Sequence, residues 1–243
     1  MLLSNAISIH INNKEAKEIW FGGSQIWTPA ELEIKPLEEY TWEQIQNISK
    51  NGKASTYFKL GDKKTVTYNG EEFKVGIIHF GTNETYFMFT SEPETPYWKT
   101  TSTFTSYANS NVKDVLTLIS KNVNEGNLDN LMKSKSVKYR SSSSASNPTI
   151  TSTSGKMWIM SGWEFKSGLS GNSDQSFEFP FLYNESEELS NFLDTDSTNF
   201  WSRTTHGTNT HINMYWNGTY FDPLTGESNS SSKVNPILPV FCI

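Results

Sequence analysis

Residues 63–80 read K-K-T-V-T-Y-N-G-E-E-F-K-V-G-I-I-H-F. Asn69-Gly70 divides two runs in which apolar and polar side chains alternate. Asn-Gly tolerates the two left-handed backbone positions of a tight hairpin turn, and a period of two marks strands with one buried face. This stretch commits the middle of the chain to antiparallel sheet. Tyr86-Phe87-Met88-Phe89 follows as a further, more buried strand. Helical spacing appears only twice with any length. Thr41 can cap a helix that starts at Trp42 and keeps Trp42, Ile45 and Ile48 on one face, with Asn51-Gly52 ending it. Asn111 to Ser120 carries Val112, Val115, Leu116 and Ile119 at helical spacing, with Asn111 as a cap, and a shorter helical stretch covers Leu128 to Met132. Ser141 to Ser154 reads as a serine-rich loop. Strands are expected again at Lys156–Met160, Phe177–Tyr183, Phe200–Thr204, Asn213–Trp216 and Val234–Phe241. Helices early and strands late make an α+β fold rather than a parallel βαβ arrangement.

What fills the core follows from composition. Of the 243 residues, 14 % are aromatic against 35 % hydrophobic in all, so packing rests on rings. The net charge is −6 and no basic run stands out, which argues against a nucleic-acid partner. The single cysteine, Cys242, excludes an internal disulfide and fits synthesis in a reducing cytoplasm. No apolar run has the length of a membrane span, so no membrane insertion is expected, and the first residues lack the pattern of a secretion signal. Without such a signal, triplets such as Asn217-Gly218-Thr219 read as accidents of composition.

The first residues stand apart. Ile7, Ile9 and Ile11 alternate with polar neighbours, Asn12-Asn13-Lys14-Glu15 offers turn chemistry, and Ile19-Trp20-Phe21 and Gln25-Ile26-Trp27 flank Gly22-Gly23. This predicts a small three-stranded β-meander over residues 1–29, an attachment module followed by a linker near Thr28-Pro29 to Lys35-Pro36 and a main domain over 30–243. So small a sheet needs a surface to pack on. The run I-S-I-H-I-N-N-K-E-A-K-E-I-W-F-G-G-S-Q-I-W resembles a short module of tail proteins from phages of Gram-positive bacteria.

Four later stretches carry a second resemblance. They are A-S-T-Y-F-K-L-G-D-K-K with Y-N-G-E-E-F-K-V-G-I-I-H-F, K-M-W-I-M-S-G-W-E-F, N-F-W-S-R-T, and N-P-I-L-P-V-F-C-I. Together they are similar, over residues 42 to 243, to a domain of unknown function common in Firmicutes and their phages. The resemblance implies a C-type-lectin-like domain, with two helices and mixed, mostly antiparallel sheets. Two departures stand out. Leu238-Pro239-Val240-Phe241 lacks the arginine usual in the family's last motif, and Lys113 stands nearest to the family's arginine in the second helix. The active-site cysteines of the formylglycine-generating enzymes that share this fold have no counterpart pair here.

Candidate chemistry can be weighed residue by residue. Trp201 and Arg203 fall on one face of a strand, and an arginine beside a buried ring is normally paired, here with Glu164 or Asp194. This is a structural reading. His206 and His211 match no metal-ligand spacing and read as loop residues; His10 and His79 fall in strands. No serine sits in a nucleophile elbow, and Cys242 beside Phe241 reads as a core side chain. The pairs Glu71-Glu72 and Glu187-Glu188 read as solvated charge. No catalytic residue, metal or cofactor is expected, and no D-x-D-x-D-G calcium loop occurs. Aromatic plates remain. Tyr215, Trp216 and Tyr220 flank Asn217-Gly218 with Asn213 nearby, and Tyr97-Trp98 lies in a loop with two prolines. Rings of this kind stack on sugars or form protein contacts, and equally cover a core.

The expected function is a non-enzymatic phage or prophage tail or baseplate protein, made in the bacterial cytoplasm and carried on the virion. Its expected partners are tail proteins, sister copies in a homo-oligomer, and a cell-surface glycan, teichoic-acid-like polymer or protein. The alternatives are a purely structural tail or baseplate subunit, and an enzyme acting on cell-wall carbohydrate.

Overall fold

A computed structural model describes residues 10–11, 14–15, 19–21, 24–27, 34–98, 106–123, 125–141, 149–162, 164, 176–177, 179–182, 189, 191–197, 199–205, 211–216, 221–224 and 234–243. The chain divides into two compact units, Met1–Lys35 and Pro36–Ile243. In the first, β1 (His10–Ile11) pairs antiparallel with β2 (Lys14–Glu15), and β3 (Ile19–Phe21) with β4 (Ser24–Trp27). Two separate ladders thus replace the expected single three-stranded meander among the described residues. Two residues separate Ile11 from Lys14, enough to close a hairpin, so Lys14-Glu15 acts as strand rather than turn. Ile7 and Ile9 lie outside the described residues.

The second unit is mixed α and β, with antiparallel sheets and few helices. α1 (Trp42–Lys50) begins where the sequence predicts. The Thr41 side chain accepts from the Gln44 backbone N–H at 3.2 Å, and the Gln44 side chain accepts from the Thr41 N–H at 2.9 Å, a reciprocal capping box. A four-residue α2 (Ala54–Tyr57) follows. β5 (Lys63–Tyr68), β6 (Glu71–Gly81) and β7 (Glu84–Phe89) form consecutive antiparallel ladders. At the β5–β6 turn Asn69 has φ 52° and Gly70 φ 84°, both in the left-handed region that Asn-Gly accommodates.

α3 (Asn111–Asn122) and α4 (Leu128–Leu131) come next. Ser110, not Asn111, caps α3 by accepting from the Lys113 N–H at 3.2 Å. β8 (Lys135–Arg140) pairs with β9 (Ile150–Gly155), where the sequence reads as loop. The apolar signal is absent from T-I-T-S-T-S-G, but its β-branched residues suit an exposed edge strand. β10 (Met157–Trp158) is shorter than expected. No strand spans Phe177–Tyr183 among the described residues; Pro180–Leu182 forms a 3-10 turn, since Pro180 has no N–H for a ladder. β11 (Asn199–Thr205), β12 (His211–Trp216) and β13 (Phe221–Leu224) form a three-stranded sheet. The last expected strand contracts to β14 (Val240–Cys242) because Pro236 and Pro239 interrupt it. β14 inserts between β10 and β7, giving the five-stranded order β10-β14-β7-β6-β5.

The core is built of rings, as composition implies. α1 packs on β7 and α3 on β10. The Phe87 and Phe241 rings stack at 5.3 Å across β7–β14, and Trp42 meets Phe87 edge-on at 5.3 Å. All three side chains are buried.

Two predictions follow from these contacts. Thr41→Ala removes half of the capping box and is expected to cost about 1 kcal/mol in urea unfolding. His79 lies half-buried between the rings of Tyr86 and Phe179, at 5.4 and 5.8 Å. Burial holds its imidazole below the ordinary value of 6.5, against the opposing pull of Glu84. The unfolded state therefore binds the proton more readily, so this contribution is present above about pH 6.5 and is lost as the pH falls. The melting temperature should drop between about pH 7 and pH 5, and His79→Gln should flatten that part of the profile.

Candidate functional site

Arg203 sits at the meeting point of three sheets, with no exposed surface. Its guanidinium donates to both carboxylate oxygens of Glu164: Nη2 donates to Oε1, and Nη1 donates to Oε2 at 2.7 Å. Nε donates to the Lys138 carbonyl on β8 and Nη1 to the Ile159 carbonyl beyond β10, each at 2.7 Å. Glu164 is held in turn by the backbone N–H groups of Ser161, Ser176 and Phe177, at 3.1, 2.8 and 3.2 Å. Both oxygens of the carboxylate are thus engaged by fixed donors, which makes the pair structural. Asp194, the other candidate partner, pairs with Lys63 at 2.8 Å.

Of the aromatic candidates, the structure separates neighbours. Trp98 is fully buried, 5.6 Å from the Trp201 ring, whose Nε1 donates to the Pro96 carbonyl at 2.9 Å. Trp216 is 7 % exposed and belongs to the core as well. Neither presents a ring to a ligand, which corrects their reading as binding plates. Two prolines and a polar context disguise Trp98 in the sequence, yet its backbone carbonyl anchors the Asn111 N–H at the start of α3. Tyr97 does reach solvent, at 49 %. Asn213 and Tyr215 are placed by register opposite Trp201 and Asn199 on β11. Their side chains, and all of Tyr220, lie outside the described residues, as do His206, the His211 side chain and Glu187-Glu188.

Cys242 is buried, and desolvation pushes its thiol up to about 12. Glu71 and Glu72 are exposed on β6. Among the described residues no group of three His, Cys, Asp or Glu side chains is placed to hold a metal ion, and no helix is long and apolar enough to cross a membrane.

A site that motif reading misses lies elsewhere. A cleft of about 360 Å³ opens between one face of α3, α4 and the ends of β9 and β10. Lys113, Thr117, Ser120 and Lys121 fall at helical spacing, so α3 lays two ammonium groups and two hydroxyls along one wall. Asp129 on α4, Ser134, and Ser154 to Lys156 complete it. Lys156 is neutralised by Asp129 at 2.9 Å and also donates to the Asp129 carbonyl. Lys113 and Lys121 have no carboxylate within pairing distance among the described residues. The Lys113 ammonium donates to the Ser154 carbonyl at 3.2 Å and lies 5.9 Å from the centre of the Tyr107 ring. Burial draws its pKa below the usual lysine value. Gly155 makes room for it: a Cβ there would come within 2.3 Å of Nζ. In the sequence these residues are scattered over more than forty positions and form no basic run.

Two outcomes test these assignments. Glu164→Ala strands a buried guanidinium and should cost about 3–5 kcal/mol in urea unfolding. A thiol reagent at pH 8 should leave Cys242 unmodified in the folded protein and titrate one thiol after denaturation.

Comparisons of the chain with protein-family models, with curated proteins and with solved structures find no match.

Proposed function

We propose that the protein is a non-enzymatic binding protein of a phage or prophage tail, which presents its main domain to a bacterial surface carbohydrate polymer. The observation that carries this reading is the cleft beside α3, where hydroxyls and ammonium groups face an open volume of about 360 Å³. Such groups grip hydroxylated or charged chains. A glycosidase would need two carboxyls facing each other across the cleft, and here the lining contains one, Asp129, already tied to Lys156. The N-terminal resemblance to tail modules supplies the context, and the motif resemblance is consistent with a C-type-lectin-like arrangement of the second unit. Repeated copies on one particle would turn weak single-site affinity into firm attachment.

Purified full-length protein should sediment with cell walls of a Gram-positive host and release no soluble sugar or polyol from them. Protein that stays in the supernatant at every wall concentration, or that liberates product, overturns the reading.

A second reading rests on a different feature. Tyr97 and Val234 form an isolated antiparallel bridge and are 49 % and 48 % exposed, an apolar pair suited to a neighbouring subunit. A structural baseplate role would show as an oligomer by light scattering that Tyr97→Asp dissociates, with no retention on cell walls.

A further inference from the structure

We infer that the cleft beside α3 is an anion site for a polyol–phosphodiester chain, a ligand class that rests on the surface-binding reading above and narrows it. The charge arithmetic is local. Three lysines and one aspartate line the cleft, and the Lys156–Asp129 pair cancels itself, leaving Lys113 and Lys121 without a carboxylate partner among the described residues. Lys113 is partly desolvated and spends one of its three donors on the Ser154 carbonyl. A buried ammonium without a counter-charge is unfavourable, and an incoming oxyanion supplies what it lacks. Gly155 keeps the approach to Nζ clear.

The rest of the lining selects what carries the anion. Thr117 uses its hydroxyl proton on the Lys113 carbonyl, leaving lone pairs to accept from a ligand hydroxyl. Ser134 adds a hydroxyl at the rim. No aromatic side chain lines the cleft, so the stacking platforms that hold nucleobases and sugar rings are missing there. Positive charge with hydroxyls and no ring fits alternating phosphates and small polyols. The volume, near the low end of about 300–1,000 Å³ for small-ligand sites, suits one or two such repeats.

The test titrates the full chain, by calorimetry, with a short synthetic poly(glycerol phosphate), with inorganic phosphate and with a neutral oligosaccharide. The oligomer should bind saturably and more weakly as salt rises. Lys121→Gln should lower its affinity about tenfold with the thermal midpoint unchanged, and Gly155→Ala should lower it by a similar factor. Lys121 is exposed, so its change does not depend on a folding defect, whereas a Cβ at Gly155 meets the Lys113 Nζ at 2.3 Å and the Met157 carbonyl at 3.1 Å, so that variant displaces the ammonium and presses on nearby backbone. Failure to bind the oligomer, or equal affinity in both variants, overturns the site. So does inorganic phosphate binding as tightly as the oligomer, which marks an adventitious ion only. Retention on cell walls without oligomer binding sinks the ligand class and leaves surface binding standing. Oligomer binding without retention on walls does the reverse.

Discussion

The Arg203–Glu164 pair is the constraint on which the second unit depends. One guanidinium joins β11 to β8 and to the segment after β10, while its carboxylate collects N–H groups from residues 161, 176 and 177. Three sheets of different strand order are thereby fixed at a single point. Burying two charges is costly, and their attraction offsets that cost only when geometry is good and all remaining donors are satisfied. Here the backbone satisfies the carboxylate from three directions. A hydrophobic pair of equal volume would fill the space, but would not dictate which carbonyls meet at the junction.

Around that point the packing is aromatic. Trp98, Tyr107 and Tyr139 form a chain of ring contacts on one side, at 6.3 and 6.2 Å, and Trp42, Phe87 and Phe241 another between helix and sheet. Rings combine large buried area with few rotatable bonds, so they order at low entropic cost. The cleft beside α3 borrows this stiffness: Lys113 lies over Tyr107, itself fully buried.

Local signals in the sequence show most of the fold's pieces. The Asn69-Gly70 turn, the Thr41 cap and the ring-rich β7 each announce themselves within a few residues. What stays hidden depends on distance. β9 is polar and reads as loop until β8 pairs with it, and Trp98 reads as exposed until Trp201 arrives from a hundred positions away. The cleft is harder still, because its charges sit on three elements and no window of the sequence holds them together. Arg203 is the exception among site residues, since an arginine two positions from a tryptophan in a strand already asks for a partner. Trp216 shows the opposite error: an aromatic beside a turn looks like a plate and is a piece of core.

The place of β14 has a consequence for how the protein is made. Val240–Cys242 lies between β10 and β7, so the largest sheet has a gap until these residues arrive. A nascent chain that has already emerged through β7 must wait, its Phe87 face uncovered, while more than a hundred further residues are synthesised. Contacts so distant along the chain slow closure and prolong exposure of apolar surface. During synthesis the half-built domain is thus a natural client for chaperones, and the emergence of Val240–Cys242, rather than any early hairpin, sets the moment at which it becomes safe from aggregation.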